Sequence, residues 1–229
     1  MRFECRSAAR AVRGAAALVA ASLLMVACAE PTADADQPAY DPTYSAGGRT
    51  VLYHWRAGST IRVYAQPSAS SISADLPATL RSAFAVWRAE AEFREYVLVL
   101  VDRPADADVI VRFRSEAPLI SYADCTYPST AASGVTFFCP DAALQRVQVL
   151  PLLAGAPGHV RMEVAVSASA VAGRFESVVA HEIGHVLGIG AHSREPADLM
   201  YPFPTAQAPS ARDAATLRYV LHQPSALVL

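Results

Sequence analysis

The segment His181–Pro202, which reads HEIGHVLGIGAHSREPADLMYP, decides how this chain is interpreted. It begins with two histidines four residues apart, His181 and His185. On an α-helix these side chains lie one turn apart on the same face, so both imidazoles reach one point. Imidazole nitrogen is a preferred ligand of Zn²⁺, and catalytic zinc sites hold three protein ligands and keep one position open. The spacing therefore predicts a zinc site on a helix.

The residues around this pair supply the other groups that a catalytic zinc site needs. Glu182 follows the first histidine, so it reaches the side of the metal and not a coordination position. We predict that Glu182 is the catalytic residue, acting as a general base on a water whose pKa the metal brings toward roughly 7. Gly188 frees the backbone to turn back toward the metal. His192 is the predicted third ligand, and one catalytic Zn²⁺ is the expected cofactor.

The same segment resembles the active-site segment of the metzincin zinc peptidases, and within them of the matrixin-like group. The resemblance implies that the three histidines bind zinc, that Glu182 is the general base, and that Met200 lies in a tight turn under the metal. It implies an α+β fold over residues 49–229: a metzincin-like catalytic domain with a mixed twisted sheet, two long helices and a C-terminal helix. It also implies that the specificity pocket is walled by Tyr201, Pro202, Phe203 and Pro204.

One residue departs from the family spacing, because His192 lies one position further along than the familiar pattern allows. The extra residue falls beyond the helix, where Gly190 and Ala191 are small enough to bulge. The interval from His192 to Met200 keeps the matrixin spacing, so we assign the third ligand to His192 and expect deletion of Ala191 to be tolerated. The alternative is an acidic third ligand of the gluzincin type, for which Glu195 is the nearby acid.

Hydrophobic periodicity predicts the order strand, helix, several strands, helix, loop, helix, which is an α+β arrangement. The predicted strands are 59–66, 96–102, 107–113, 135–139, 146–152 and 160–166. The predicted helices are 75–93, 174–188 and 209–221. Ser210 is the expected N-cap of the last helix, and Asp213 completes a capping box.

The N-terminal residues predict export. Within residues 1–27, four arginines precede an apolar run that is shorter than the roughly 20 residues needed to span a bilayer, as in a signal peptide. The run ends in LLMVAC, which resembles a lipobox, so Cys28 is the expected lipidation site of a cell-envelope lipoprotein. An ordinary cleavage site at 27–29 also fits, and the protein would then be secreted. Residues 28–48, rich in Pro, Ala and Asp, predict a flexible tether.

The expected partners follow from charge and compartment. A formal net charge of −2 argues against nucleic-acid binding. We expect a monomer that acts on a peptide or protein substrate and meets the membrane only through a lipid anchor. In an oxidising compartment Cys125 and Cys139 predict a disulfide, with two buried free thiols as the alternative. Matrixins commonly hold structural Ca²⁺ or a second Zn²⁺, but no ligand loop in this sequence supports either.

The remaining polar candidates have no spacing relation to the site. Surface or packing roles are predicted for His54, His159 and His222, and strand-ending positions in solvent for Asp102, Asp106 and Asp108. Two classes of function therefore remain, a zinc-dependent endopeptidase and a non-proteolytic zinc-containing surface binding protein. Glu182 favours the peptidase, because a pure binding role does not need a general base.

Overall fold

A computed structural model describes residues 37–46, 49–68, 74–91, 93–117, 132–139, 161–167, 174–223 and 227–228. All of these residues belong to the compact unit Ala33–Leu229, and the other unit, Met1–Thr32, lies outside them. Some of the features predicted from the sequence also lie outside the described residues: the signal peptide, Cys28, strand 146–152, His159 and Cys125 of the expected disulfide. In the described part of the chain no helix is long and apolar enough to cross a bilayer.

The described residues form nine strands and three α-helices. The strands are β1 (Tyr44–Ala46), β2 (Arg49–Val51), β3 (Tyr53–His54), β4 (Ser59–Ala65), β5 (Tyr96–Leu100), β6 (Val109–Phe113), β7 (Gly134–Cys139), β8 (Arg161–Val166) and β9 (Leu227–Val228). The helices are α1 (Leu76–Arg88), α2 (Phe175–Leu187) and α3 (Ala211–His222). A short 3₁₀ turn at Pro104–Asp106 joins β5 to β6. The α+β class expected from the sequence is confirmed.

Five strands form one mixed sheet in the order β5-β4-β6-β8-β7. The first four are parallel, and β7 runs antiparallel to β8 at the edge. Alternate residues of a strand face the same side, and one side of this sheet is buried with α1 and α2 in a single core. Its core-facing residues include Ile61, Val63, Val109, Val111, Met162 and Val164. The sheet thus places the antiparallel edge strand β7 beside α2.

Helix α1 is shorter than its hydrophobic stripe predicts. It begins as expected, with the carboxylate of Asp75 accepting a hydrogen bond from Ala78 N at 2.9 Å. It ends at Arg88, whereas the stripe predicts a helix to residue 93. The carbonyl oxygen of Trp87 accepts from Glu90 N at 3.0 Å and from the hydroxyl of Tyr96 at 2.8 Å. The hydroxyl of Tyr96, which is a tertiary contact, therefore donates to a carbonyl oxygen that would accept a helical hydrogen bond if α1 were longer.

Helices α2 and α3 agree with their local sequence signals. Gly188 ends α2 in the left-handed region with φ 119°, and a Cβ there would lie 2.5 Å from Tyr53 O. Glycine is therefore required at that position for both conformation and space. Ser210 caps α3, and the predicted capping box with Asp213 is confirmed.

The segment 37–46 packs against the domain, although its composition predicts part of a flexible tether. Ala39 N donates to Thr216 Oγ1 at 3.1 Å, and Tyr40 OH donates to Asp213 Oδ1 at 2.6 Å. Both acceptors lie on α3. Packing in the described residues therefore begins N-terminal to residue 49, where the sequence analysis places the start of the domain.

Asp108 does not lie in solvent, so its predicted position is wrong. Its side chain is 8% exposed and accepts from Arg62 Nε at 2.9 Å and Arg62 Nη2 at 2.7 Å. Asp108 directly precedes β6, and its ion pair with Arg62 of β4 compensates the burial of the carboxylate. The packing role predicted for His54 agrees with its buried ring, which contacts Trp55 O and Gln223 O. His222 contacts Glu95 Oε1 at 3.1 Å near the surface.

Candidate zinc centre

Two of the histidines project from one face of α2. His181 is buried and His185 is half-buried. The Nδ1 atom of His181 lies 2.7 Å from Leu199 O, and that of His185 lies 2.6 Å from Ile189 O. A carbonyl oxygen only accepts, so each Nδ1 carries the proton and each Nε2 keeps its lone pair for a metal.

The third histidine joins this pair from the loop after α2. His192 Nε2 lies 3.3 Å from His185 Nε2, which in turn lies 3.1 Å from His181 Nε2. The ligand atoms of the three rings all lie within 4.8 Å of one another. The loop therefore absorbs the extra residue and still brings His192 to the pair. In the described residues Glu195 is not a member of this cluster.

Burial keeps the three imidazoles neutral. It lowers the pKa of His181 to about 4, aided by His192 and opposed by the bond to Leu199 O. It lowers the pKa of His185 well below its ordinary value and lowers that of His192 as well. Neutral imidazoles with converging lone pairs are the donor set that zinc takes in catalytic sites. The residues present therefore fit a zinc ion.

The loop that carries His192 is held at both ends by backbone hydrogen bonds. Gly190 N donates to Pro42 O at 2.7 Å, and Ser193 N donates to Met200 O at 2.9 Å. The hydroxyl of Ser193 also donates to the carboxylate of Asp198. The position of His192 thus depends on Pro42, which is distant in sequence, and on Asp198 and Met200, which follow it in the chain.

Met200 lies directly against α2, between the turns that carry the two helical histidines. It is fully buried, and a Cβ added at Gly184 would overlap its sulfur and lie 2.7 Å from Trp87 Cζ2. The turn around Met200 is held by Asp213, whose carboxylate accepts from Leu199 N at 2.8 Å. Gly184 therefore makes room for the methionine against α2.

Glu182 is buried on the side of α2 that faces β7. Its Oε2 accepts from Thr136 Oγ1 at 2.5 Å, and a Cβ added at Gly134 would overlap its Oε1. Burial raises the pKa of Glu182 to about 7, and the hydrogen bond from Thr136 opposes that rise. A carboxylate with such a pKa exchanges protons readily near neutral pH.

The matrixin family model matches residues 155–215, about a quarter of the chain. The match contains the three clustered histidines, Glu182 and Met200. This segment is matrixin-like. No curated protein sequence matches the chain. The family match and the histidine cluster together support a zinc metallopeptidase, and a peptidase family implies a peptide or protein substrate.

A cleft of about 440 Å³ opens over the matrixin-like site. It is lined by Tyr44, Tyr53, Ala132, Ser133, Gly134, Val135, Thr136, Val178, His181, Glu182, His185, Gly190, His192, Pro202, Phe203 and Pro204. The predicted pocket residues Pro202, Phe203 and Pro204 are among these. Tyr201 is not among the described lining residues, and its ring packs edge-on against Phe203 with centroids 6.1 Å apart. Three of the four expected wall residues therefore border the cleft.

Several site residues come from outside the matrixin-like segment and are not predicted by the sequence patterns. Gly134 and Thr136 contact Glu182 only because β7 pairs with β8 at the sheet edge. Pro42 and Tyr44 reach the site from a stretch whose composition suggests a tether. No motif marks these positions, since each contact joins residues distant in sequence.

Proposed function

We propose that this protein is a zinc-dependent endopeptidase that hydrolyses peptide bonds with Glu182 as general base. The observation that carries the proposal is the buried carboxylate of Glu182 beside three neutral, convergent imidazoles in an open cleft. Burying a carboxylate costs free energy unless the burial is compensated. A protein that only stores zinc does not need a buried carboxylate beside the metal, whereas a peptidase needs it as the general base.

The proposed ligands are the Nε2 atoms of His181, His185 and His192, which would hold one ion. When bound, zinc supplies Lewis acidity, which makes a water more acidic and polarises a carbonyl oxygen. The chain's own contribution is to fix the three rings. Hydrogen bonds to Leu199 O and Ile189 O orient the two helical rings and keep the metal-binding nitrogen deprotonated.

Glu182 would move the proton. Its buried carboxylate lines the cleft beside the histidines, where it can accept a proton from the attacking water and return it to the leaving amine. Thr136 holds Oε2, so the other oxygen, Oε1, is the one available to the water. Gly134 lies against Oε1, and an added Cβ would overlap this oxygen, so a larger residue there would displace the carboxylate.

The cleft favours an extended, uncharged stretch of substrate. Strand β7 is the last strand of the sheet among the described residues, and residues 132–136 line the cleft. An extended peptide can pair with such an edge. Among the described lining residues Glu182 is the sole carboxylate, and none is lysine or arginine. Apolar substrate side chains are therefore expected beside Val135, Val178 and Phe203.

Export and lipidation of Cys28 complete the proposal. Export is supported by the arginines and apolar run of residues 1–27, and lipidation by the sequence LLMVAC. In a bacterial host the protein should partition into detergent and carry diacylglycerol on Cys28. A Cys28→Ser variant should be released in soluble form. A mature N-terminus at Glu30 without lipid, found by mass spectrometry, would instead show simple secretion.

The decisive test combines zinc content with cleavage of a random peptide library, with and without a chelator. Glu182→Ala should retain about one zinc per chain and lose peptide hydrolysis by roughly 10²–10⁴-fold, the usual contribution of a general base. Glu176→Ala is the matched control, since Glu176 is an exposed acid on the same helix. Substantial turnover by Glu182→Ala would contradict the assignment. A wild-type protein that binds zinc and peptides but cleaves none would be the surface binding protein.

A further inference from the structure

We propose that Tyr44 contacts the substrate and helps to set the specificity of the cleft. The inference rests on the proposed peptidase function. Tyr44 lies outside the matrixin-like segment and N-terminal to the domain start that the sequence predicts. Residues 39–44, called here the N-terminal strap, bring it to the cleft.

The strap is fixed at its start on α3. Ala39 N donates to Thr216 Oγ1 at 3.1 Å, and Tyr40 OH donates to Asp213 Oδ1 at 2.6 Å. Burial and the negative charge of Asp213 raise the pKa of Tyr40, so its hydroxyl stays a neutral donor. The same carboxylate holds the turn around Met200 through Leu199 N. The strap therefore begins on the framework that supports the zinc site.

The strap is fixed at its other end on the loop that carries His192. Pro42 O accepts from Gly190 N at 2.7 Å. A Cβ added at Gly190 would lie 2.6 Å from Tyr44 N and 2.7 Å from Tyr44 Cβ. The two backbones are thus in van der Waals contact, and only glycine permits that approach. The backbone of Tyr44 is consequently held beside the metal-binding loop.

The ring of Tyr44 is supported by a second tyrosine. After Tyr44 the chain forms the β1–β2 hairpin, with Tyr44 opposite Val51, and then reaches Tyr53 in β3. The rings of Tyr44 and Tyr53 pack edge-to-face with centroids 6.3 Å apart. Tyr53 is buried, and its hydroxyl donates to His185 O. The Tyr44 ring therefore rests on a group that is anchored to α2.

Tyr44 is half-buried and borders the same cleft as the histidine cluster, Glu182 and Phe203. Phe203 is 69% exposed, so the cleft has two aromatic rings that a bound peptide can cover. A good aromatic contact changes affinity by roughly two- to tenfold beyond simple burial. We expect Tyr44 to favour an aromatic or aliphatic side chain, or proline, at one substrate position.

The experiment compares the zinc-loaded full chain with Tyr44→Ala, Tyr44→Phe and Tyr219→Ala. Tyr219 is the matched control, because it is also half-buried but lies on α3 and does not border the cleft. For each protein we would measure zinc affinity, and kcat and KM on peptides randomised on both sides of the cleaved bond. The same Tyr44 variants in a Glu182→Ala background would report peptide binding by fluorescence anisotropy without cleavage.

Tyr44→Ala should raise KM roughly two- to tenfold for peptides with an apolar residue at one position and leave zinc affinity unchanged within about twofold. Tyr44→Phe keeps the aromatic ring and should retain the selectivity of the parent, whereas Tyr219→Ala should leave all measured values unchanged. Unchanged selectivity in Tyr44→Ala would overturn the proposal. So would a uniform loss accompanied by weaker zinc binding, since Tyr44 would then only support the loop. If the parent cleaves no peptide, the peptidase function fails, and the anisotropy series still decides whether Tyr44 contacts a bound peptide.

Discussion

The three histidines of the site are held in two different ways. His181 and His185 stand one turn apart on α2, and each Nδ1 is anchored by a backbone carbonyl. His192 stands on an exposed loop position, and in the described residues no hydrogen bond to its Nδ1 is found. Its place depends on the contacts of Gly190 with Pro42 and of Ser193 with Met200. Helix geometry thus places two of the clustered histidines, whereas contacts made outside the helix place the third.

This difference divides the site into two halves. The rigid half is α2 with His181 and His185, and the dependent half is the loop with His192. Changes on α2 act on the ligands or on the core beneath them. Changes in the backbone contacts of the strap, in the loop or in the Asp198 network act on His192 at a distance. The variants below, ordered from the largest expected effect to the smallest, test whether that division is real.

Removal of a ligand should have the largest effect. Loss of an outer hydrogen-bond partner typically weakens metal binding by about 10–100-fold, so loss of a ligand should exceed about 100-fold. We expect this for His185→Ala and for His192→Ala in a zinc competition assay, and nearly normal affinity for Glu195→Ala. Normal affinity in His192→Ala with severe loss in Glu195→Ala would reassign the third ligand.

Deletion of Ala191 should weaken zinc binding by about 10–100-fold, by analogy with lost supporting contacts. The family spacing alone predicts that the deletion is tolerated. However, Gly190 and Ser193 are both held by backbone hydrogen bonds, and only two residues lie between them. Shortening the loop must break one of these hydrogen bonds or move His192. Ala191→Gly keeps the loop length and is the control. Equal zinc affinity in the deletion and the wild type would show that the loop is free to readjust.

Gly184→Ala should destabilise the rigid half. The added methyl overlaps Met200 and approaches Trp87, and overpacking of a core typically costs about 1–3 kcal/mol. Thermal or urea unfolding should therefore show a lower free energy of unfolding, with Glu176→Ala on the exposed face as control. A stability gain, as expected from helix propensity alone, would mean that Met200 moves aside without cost.

Asp198→Asn should have the smallest effect and should depend on pH. Burial favours a higher pKa for Asp198, but hydrogen bonds from Ser193, Ser210 and Arg212 outweigh it and hold the pKa below its ordinary value of 3.8. The hydrogen bonds thus stabilise the folded state when Asp198 is ionised. This stabilisation is fully present above pH 3.8, the ordinary pKa, and is lost as the pH falls through the folded-state pKa.

The variant should therefore lose about 1 kcal/mol of unfolding free energy at pH 7, the size of a typical hydrogen-bond contribution. The difference from the wild type should shrink below pH about 4 as the wild-type carboxylate is protonated. Urea unfolding at pH 7 and pH 3 measures both values. A difference that is equal at the two pH values would exclude a role for the charge.

The sequence by itself determined the features that depend on neighbours within one or two turns. The i, i+4 histidines, the helix end at Gly188 and the capping box of Ser210 and Asp213 are all local. Alternation in residues 59–66 and β-rich runs elsewhere also located every described strand of the main sheet to within a few residues. These predictions succeeded because helix geometry, glycine conformation and strand pleating act between residues close in the chain.

Only the tertiary structure decided the contacts between distant segments. Tyr96 shares in ending α1, Arg62 buries Asp108, and Thr136 comes to hold Glu182. The strap reaches the loop of His192 in the same way, through Pro42. Each of these contacts joins side chains or carbonyls that become neighbours only when the sheet and helices pack. No local sequence pattern predicts these contacts, because each one forms between groups that are far apart in the unfolded chain.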